Sequence, residues 1–280
     1  MMRPSIQALK KFVDISFSPE NSMQLDSLAK DNDVTAIIDA GVAPGIPNYI
    51  LGYHNTSMKI ESFEYFVGGL PKYPKEPFNY KAPFSPVDVI EEYTRPARMM
   101  INKQLITKPA LTDIESIEFE DAGMLEMFNT DGLRSILSTM SHIPNMREKT
   151  VRYPGHASII KSYIESGKFS PENINDTAHQ LLKEWKLGPQ EEEFTVMDII
   201  LKSSTKKIHY HLFDSYDKAS NTSSMSRTTG YTATASINLL LDKKITKTGV
   251  LPPELVGSLD SCWDYIFNYL ANRKVHIKRI

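Results

Sequence analysis

The chain has 280 residues, 41% of them hydrophobic and 24% charged, which fits a globular protein of one large or two modest domains. Its 32 basic and 34 acidic side chains leave a formal charge of -2, and no run of Lys and Arg interleaves with aromatics, so neither nucleic acid nor an anionic membrane is an expected partner. The single cysteine, Cys262, closes no intramolecular disulfide. With no apolar leader in residues 1–11 and no run of about 18 apolar residues, a cytoplasmic protein is expected.

Taken in chain order, residues 12–15 predict a short strand. Leu25, Leu28 and Ala29 give a brief helical stripe, and residues 35–38 predict a second β-branched strand. This order suggests parallel strands joined by a right-handed crossover. Two strands and one helix make no stable sheet, so further strands are expected from upstream or from another chain. Residues 59–67 alternate in polarity, which predicts a strand with one covered face. Further strands are predicted at 87–94, at 99–106 with a turn at Asn102-Lys103, and at 149–153. A hairpin is predicted from 195–202 and 207–214. Helices are predicted around Ile159–Ile164, closed by Gly167, and from Ile174 to Trp185, with Ser170 as cap and Pro171 in the first position. Two more are expected, from about 229 to 241 and along Leu259 to Leu270. The fold class is α+β (α/β). A remnant of a Rossmann-type parallel sheet (1–42) precedes a mixed, largely antiparallel sheet domain covered by helices (43–228). C-terminal helices (229–280) then pack back toward the nucleotide-binding side.

Three turns, residues 39–45, 128–132 and 152–156, each end a strand or loop with glycine and start a helix. Helix starts carry unpaired N–H groups and partial positive charge, which suit a carboxylate. Arg134 and Arg152 lie beside two of these turns, and Arg227 precedes a helix start expected at Thr228 and Thr229. A guanidinium grips a carboxylate in a two-pronged fork. Glycines that merely cap turns and arginines that sit on the surface produce the same pattern. His209 and His211 face one side of a strand, but no third metal ligand is evident, so exposed strand histidines are expected. The acidic run 191–193 reads as a solvated loop. No two of the 13 glycines are two positions apart, so the Gly-x-Gly-x-x-Gly turn that cradles a dinucleotide is absent.

Several segments, read in order, resemble the saccharopine reductase-like family, in particular its lysine 6-dehydrogenase branch. They are Phe-Val-Asp-Ile-Ser (12–16), Asp-Ala-Gly-Val-Ala-Pro-Gly (39–45), Val-Gly-Gly-Leu-Pro (67–71) and Asp-Val-Ile-Glu-Glu-Tyr-Thr-Arg-Pro-Ala-Arg (88–98). Phe-Asn-Thr-Asp-Gly-Leu-Arg (128–134), Lys-Thr-Val-Arg-Tyr-Pro-Gly-His (149–156), Ser-Arg-Thr-Thr-Gly-Tyr (226–231) and Gly-Val-Leu-Pro-Pro-Glu (249–254) complete the set. The resemblance implies an NAD- or NADP-dependent oxidoreductase of lysine- or saccharopine-type metabolism. This chain would supply the substrate half and most of the nucleotide-binding domain, on the order of 100 residues, would be missing. It implies Arg134, Arg152 and Arg227 as carboxylate anchors, and Thr130, Asp131, Tyr153 and Thr228 along the amine end. Asp39 and Gly41 would lie near the nicotinamide, and Asp131 or His156 would accept the proton. Exposing the lone pair of a lysine amine, pKa near 10.4, costs about 4.6 kcal/mol at pH 7, so such an acceptor is needed. Also implied are a homodimer, a nucleotide-binding domain supplied in trans, no metal, and no cofactor binding by this chain alone. The alternatives are a non-catalytic dimerisation or amino-acid-binding module, or an inactive fragment.

Overall fold

The computed structural model of the chain describes residues 2–16, 22–82, 85–188 and 190–280. Helix α1 (Met2–Gln7), strand β1 (Phe12–Val13), a 3-10 turn at Ser22–Leu25, helix α2 (Asp26–Asp31) and strand β2 (Thr35–Ile37) open the fold. Next come α3 (Ile46–Asn55), β3 (Ser62–Pro71), α4 (Pro86–Thr94), β4 (Ala97–Ile101), β5 (Gln104–Lys108), β6 (Glu115–Phe119) and β7 (Gly123–Asn129). The middle holds α5 (Ile136–Thr139), β8 (Asn145–Arg152), α6 (His156–Glu165), α7 (Ile174–Trp185), β9 (Glu193–Lys202) and β10 (Lys207–Ser215). The chain closes with α8 (Ser224–Leu241), β11 (Gly249–Leu251), α9 (Pro253–Gly257), α10 (Cys262–Ala271) and β12 (Ile277–Arg279).

Two sheets result. One is a three-stranded parallel sheet in the order β1-β2-β11. The other has nine strands along the path β12-β10-β9-β3-β8-β4-β5, with β7 also on β8 and β6 on β7. Within it only β3 and β8 are parallel, so the second sheet is mixed and largely antiparallel, as expected. Helices α3, α8, α9 and α10 share a core with one face of the large sheet, through Tyr65, Met197 and Ile199. The β6–β7 hairpin packs on the other face, over Phe66, Val151 and Val196. A third cluster joins α4, α6 and α7 around Trp185 and Tyr93.

Six expectations change, four of them in secondary structure. Residues 87–94 are helical: Val89, Ile90 and Tyr93 bury at helical spacing while Val87 is exposed, although the same letters alternate like a strand. Strand β3 is covered on both faces, because helices pack over Phe63 and Tyr65 on one side and the β6–β7 hairpin over Phe66 on the other. Helix α7 starts at Ile174; the Ser170 carbonyl ties residues 170–174 into a separate turn, accepting from the N–H groups of Asn173 and Ile174. Helix α8 starts at Ser224, five residues before the expected position, where Ser223 Oγ accepts from the Ser226 N–H. The hairpin at Asn102-Lys103 does form, and both residues take the positive φ such a turn requires.

The acidic run is not a solvated loop at its end. Glu193 is buried in β9 and accepts from the Ser224 N–H at the start of α8. Nor are His209 and His211 free on the surface. Both reach Asp198, at 3.0 and 2.7 Å, and His211 also reaches Asp121 at 3.1 Å.

Candidate active site

Strand periodicity builds one wall of a cavity of about 550 Å³. Along β8, Glu148, Thr150 and Arg152 share one face, and on the neighbouring β3 their partners in register include Tyr65 and Val67. The turn after β7 adds Thr130, Asp131 and Gly132, and α4 adds Asp88, Glu91 and Glu92. From the parallel sheet, the turn after β2 contributes Asp39 and Gly41, and α8 contributes Met225 and Thr229. The cavity thus lies where the carboxyl end of the small parallel sheet meets the large one.

Among the described residues, six carboxyl groups and one guanidinium line this cavity. Three of the six have a close cation behind them. Asp131 takes a two-pronged bond from Arg98, at 2.9 and 2.7 Å; Asp39 takes both contacts of Arg134 Nε at 3.2 Å; Glu91 pairs with Arg95 at 2.9 Å. Burial nonetheless raises the Asp39 pKa, with the Arg134 charge opposing it. Glu92 is 3.6 Å from Arg152 and accepts from the Thr150 hydroxyl. Glu148 has no ion-pair partner among the described residues. Burial, reinforced by the charge of Glu92, pushes its pKa up to about 8, while hydrogen bonds from Thr130 and the Gly132 N–H pull the other way. A Cβ at Gly132 would lie 2.6 Å from the Glu148 carboxyl carbon, so any side chain there would push that carboxyl out of its place.

The three arginines do not share a cavity. Arg134 stands behind Asp39. Arg227, in the first turn of α8, is directed at Asp214 and Asp217 and at the Arg273 carbonyl, away from the cavity. Among the described residues Arg152 alone lines it, and two of its five N–H donors are taken: Nε by the Tyr93 hydroxyl at 2.8 Å and one terminal nitrogen by the Val151 carbonyl at 2.9 Å. Its guanidinium also stacks 4.5 Å from the Tyr80 ring centre.

The helix starts are filled as well. Glu126 takes the N–H groups of Gly155 and Ala157 at α6, Glu193 takes that of Ser224 at α8, and Asn48 takes that of Gly45 at α3. Internal carboxyl and amide oxygens therefore occupy the positions where a substrate carboxylate was expected.

Of the other residues singled out from the sequence, Thr130, Asp131, Asp39 and Gly41 line the cavity. His156, Tyr153 and Thr228 do not. His156 is buried between the Tyr93 hydroxyl and the Phe78 carbonyl, and burial lowers its pKa to about 3. The Tyr153 hydroxyl donates to the Pro71 carbonyl. Thr228 points into α8 and donates to the Ser224 carbonyl, and its neighbour Thr229 faces the cavity instead. Sequence reading missed Glu148, Glu92 and Thr150. The signal in the sequence was weak: Glu148, Thr150 and Arg152 are polar at alternate positions, but Lys149 between them is polar as well.

The β2–α3 turn leaves no room for a dinucleotide pyrophosphate against its backbone. In the β2–α3 turn, Gly41 and Gly45 close on each other, a Cβ on Gly45 would fall 1.8 Å from the Gly41 carbonyl oxygen, and the Gly45 N–H is spent on Asn48. No group of three or more metal-ligating side chains occurs among them. No helix among them is long and apolar enough to cross a membrane.

Comparison with known proteins agrees with this architecture. The sequence profile of the saccharopine dehydrogenase C-terminal domain family matches residues 41–275. The alpha-aminoadipic semialdehyde synthases of Mus musculus and Rattus norvegicus, both mitochondrial, are each 22% identical over 180 residues, or 60% of this chain. The match covers 19% of those proteins, so the chain spans about a fifth of their length. Among solved structures, apo saccharopine dehydrogenase (L-Glu forming) from Saccharomyces cerevisiae superposes with a TM-score of 0.76 at 16% identity, covering 100% of this chain and 81% of that one. A homospermidine synthase from Legionella pneumophila, in complex with NAD, gives 0.69 at 13% identity, covering 99% and 72%.

Proposed function

Because the chain belongs to the saccharopine dehydrogenase C-terminal domain family, we propose that it supplies the substrate half of an NAD(P)-linked oxidoreductase of amino-acid metabolism, one that acts at an amine-bearing carbon. The observation that carries this reading is the cavity itself. It opens at the end of the parallel sheet, where open α/β sheets take their ligands, and its lining is rich in carboxylates. Asp131, Asp39 and Glu91 are each backed by a cation and Glu148 keeps its proton, so the lining presents mainly oxygen acceptors, which suit the N–H groups of an amine better than the oxygens of a second carboxyl group. The substrate is therefore gripped by its amine end, with Asp131 held rigid by Arg98 and Glu148 facing it. A lysine-type amine fits, and so does the secondary amine of a saccharopine-type molecule.

The redox half comes from outside the described residues, as a nucleotide-binding domain of the same protein or of a second one. A homodimer and a cytoplasmic setting belong to the same proposal. Calorimetric titration with lysine tests it. The expected outcome is binding by the native chain, weakened at least about tenfold, or about 1.4 kcal/mol, in Asp131→Asn. No binding at millimolar lysine removes the chain from catalysis and leaves a dimerisation module as the reading.

A further inference from the structure

We propose that Glu148 and Glu92 form a two-carboxyl proton relay, joined through the hydroxyls of Thr130 and Thr150, which takes the proton of a substrate ammonium inside the cavity and carries it toward the more exposed carboxyl. The proposal rests on the reading of this cavity as a substrate site.

The geometry is a continuous line of hydrogen bonds. Thr130 Oγ1 lies 2.9 and 2.8 Å from the two Glu148 oxygens and 2.8 Å from Thr150 Oγ1, and Thr150 Oγ1 donates to Glu92. Each hydroxyl has one proton to give. With Glu148 ionised, Thr130 donates to it; once Glu148 is protonated it donates to Thr130 instead, and Thr130 turns its one proton to Thr150, whose own goes to Glu92. The donors then point one way, from the cavity floor to Glu92. Glu148 is 4% exposed, and the Glu92 side chain is 15% exposed. The turn that frames Glu148 is fixed by its own bonds, the Gly132 N–H to Glu148 at 2.9 Å and the Tyr65 hydroxyl to the Gly132 carbonyl at 2.8 Å.

The charged and titratable groups around Glu148 are Glu92 on α4, Asp131 after β7, Tyr65 on β3, Arg152 on its own strand, and the Asp39–Arg134 pair beyond Tyr65. Asp131 is neutralised by Arg98 and Asp39 by Arg134. The one guanidinium on the cavity face, Arg152, sits nearer Glu92 than Glu148. Glu92 thus has a cation beside it, whereas buried Glu148 has none among the described residues, and burial holds its proton to about pH 8.

The transfer balances without any redox partner. An ammonium arriving beside Glu148 favours its carboxylate form. The resident proton passes to Thr130 oxygen, the Thr130 proton to Thr150 and the Thr150 proton to Glu92, which gives it to water. The vacated Glu148 carboxylate then accepts a proton from the ammonium. One N–H bond breaks, one O–H bond forms, and the electron pair stays on nitrogen, as a neutral amine.

Infrared titration of the full chain from about pH 5 to about pH 10 tests the relay. We expect a protonated-carboxyl band that persists at pH 7, titrates near pH 8, and disappears in Glu148→Gln. Thr130→Val and Thr150→Val should each shift its midpoint, and Thr130→Ser, which keeps the hydroxyl, should restore it. A wild-type chain without the band at pH 7, a band that survives Glu148→Gln, or an unmoved midpoint in both valine variants overturns the relay. Titration with lysine in two buffers of different ionisation heat separates this proposal from the one it rests on. Binding that releases no proton at pH 7 defeats the relay and leaves the substrate site standing. A band with the expected threonine dependence but no lysine binding defeats the substrate site and leaves the shared proton standing.

Discussion

The strands of the parallel sheet are two or three residues long, whereas β3, β9 and β10 of the mixed sheet run nine or ten. The small sheet encloses a modest core of Ile6, Ala29, Val34, Ala36, Ile38 and Val250. Its stability comes from the helices attached to the ends of its strands. Helix α3 succeeds β2, α9 succeeds β11, and the two helices pack so closely that a Cβ on Gly52 would lie 2.0 Å from the Glu254 carbonyl oxygen. Glu254 also bonds Asn48 and Thr139, and Asn48 holds the Gly45 N–H. One region is thus held through a helix joint, and the other through long strands in fixed register. That division fits their contributions to the cavity: a turn from the small sheet, and a rigid row of polar side chains from the large one.

The sharpest way to break the comparison is at the joint. Gly52→Ala should cost about 3 kcal/mol or more in chemical denaturation, because backbone cannot yield as a side-chain tip can. A loss below about 1 kcal/mol would mean that the small sheet does not depend on this contact.

A smaller effect distinguishes the large sheet by its buried acids. Burial raises Glu148 to about 8 and Glu193 to about 7, so the native state keeps protons that the unfolded chain has shed since about pH 4.5. Stability therefore falls as pH rises through that window. Buried His54 and His156, lowered to about 4 and about 3, act oppositely: the unfolded chain takes protons below pH 6.5 that the native state refuses. Their contribution is complete by about pH 7, above which the carboxyl groups leave a net decline. The thermal midpoint should drop from pH 7 to pH 9, and Glu148→Gln should flatten the drop; an unchanged slope would remove Glu148 as its cause.

The smallest expected change is at the edge of the parallel sheet. Val13, half-buried on β1 with a strand on one side only, should cost about 1 kcal/mol as Ala. A cost of about 3 kcal/mol would show that β1 is held as firmly as the central strands.

Much of the architecture was legible because its signals are local. The β9–β10 hairpin, the turn at Asn102-Lys103 and the glycine that closes α6 each depend on a few adjacent residues. The partner of β2 was not legible, since β11 is three residues long and lies over 200 positions away, and parallel pairing leaves no turn to read. Residues 87–94 misled because a nine-residue helix and a strand can share an apolar pattern. Thr130, Asp131, Asp39 and Gly41, singled out through glycine-rich turns, line the cavity. The arginines misled because an arginine's sequence position says nothing of the carboxylate that already holds it: Asp39 for Arg134, Asp214 for Arg227. Glu148 was missed because a charged residue within a strand reads as solvent-facing until the second covering layer is known.

The central claim is that the cavity recognises the amine end of its substrate. Lysine without its carboxylate is 1,5-diaminopentane, and lysine without its α-amine is 6-aminohexanoate. Calorimetric titration of the native chain with each at pH 8 tests the claim most directly. The diamine is expected to bind at least about tenfold, or about 1.4 kcal/mol, more tightly than 6-aminohexanoate; tighter binding of 6-aminohexanoate would contradict the account.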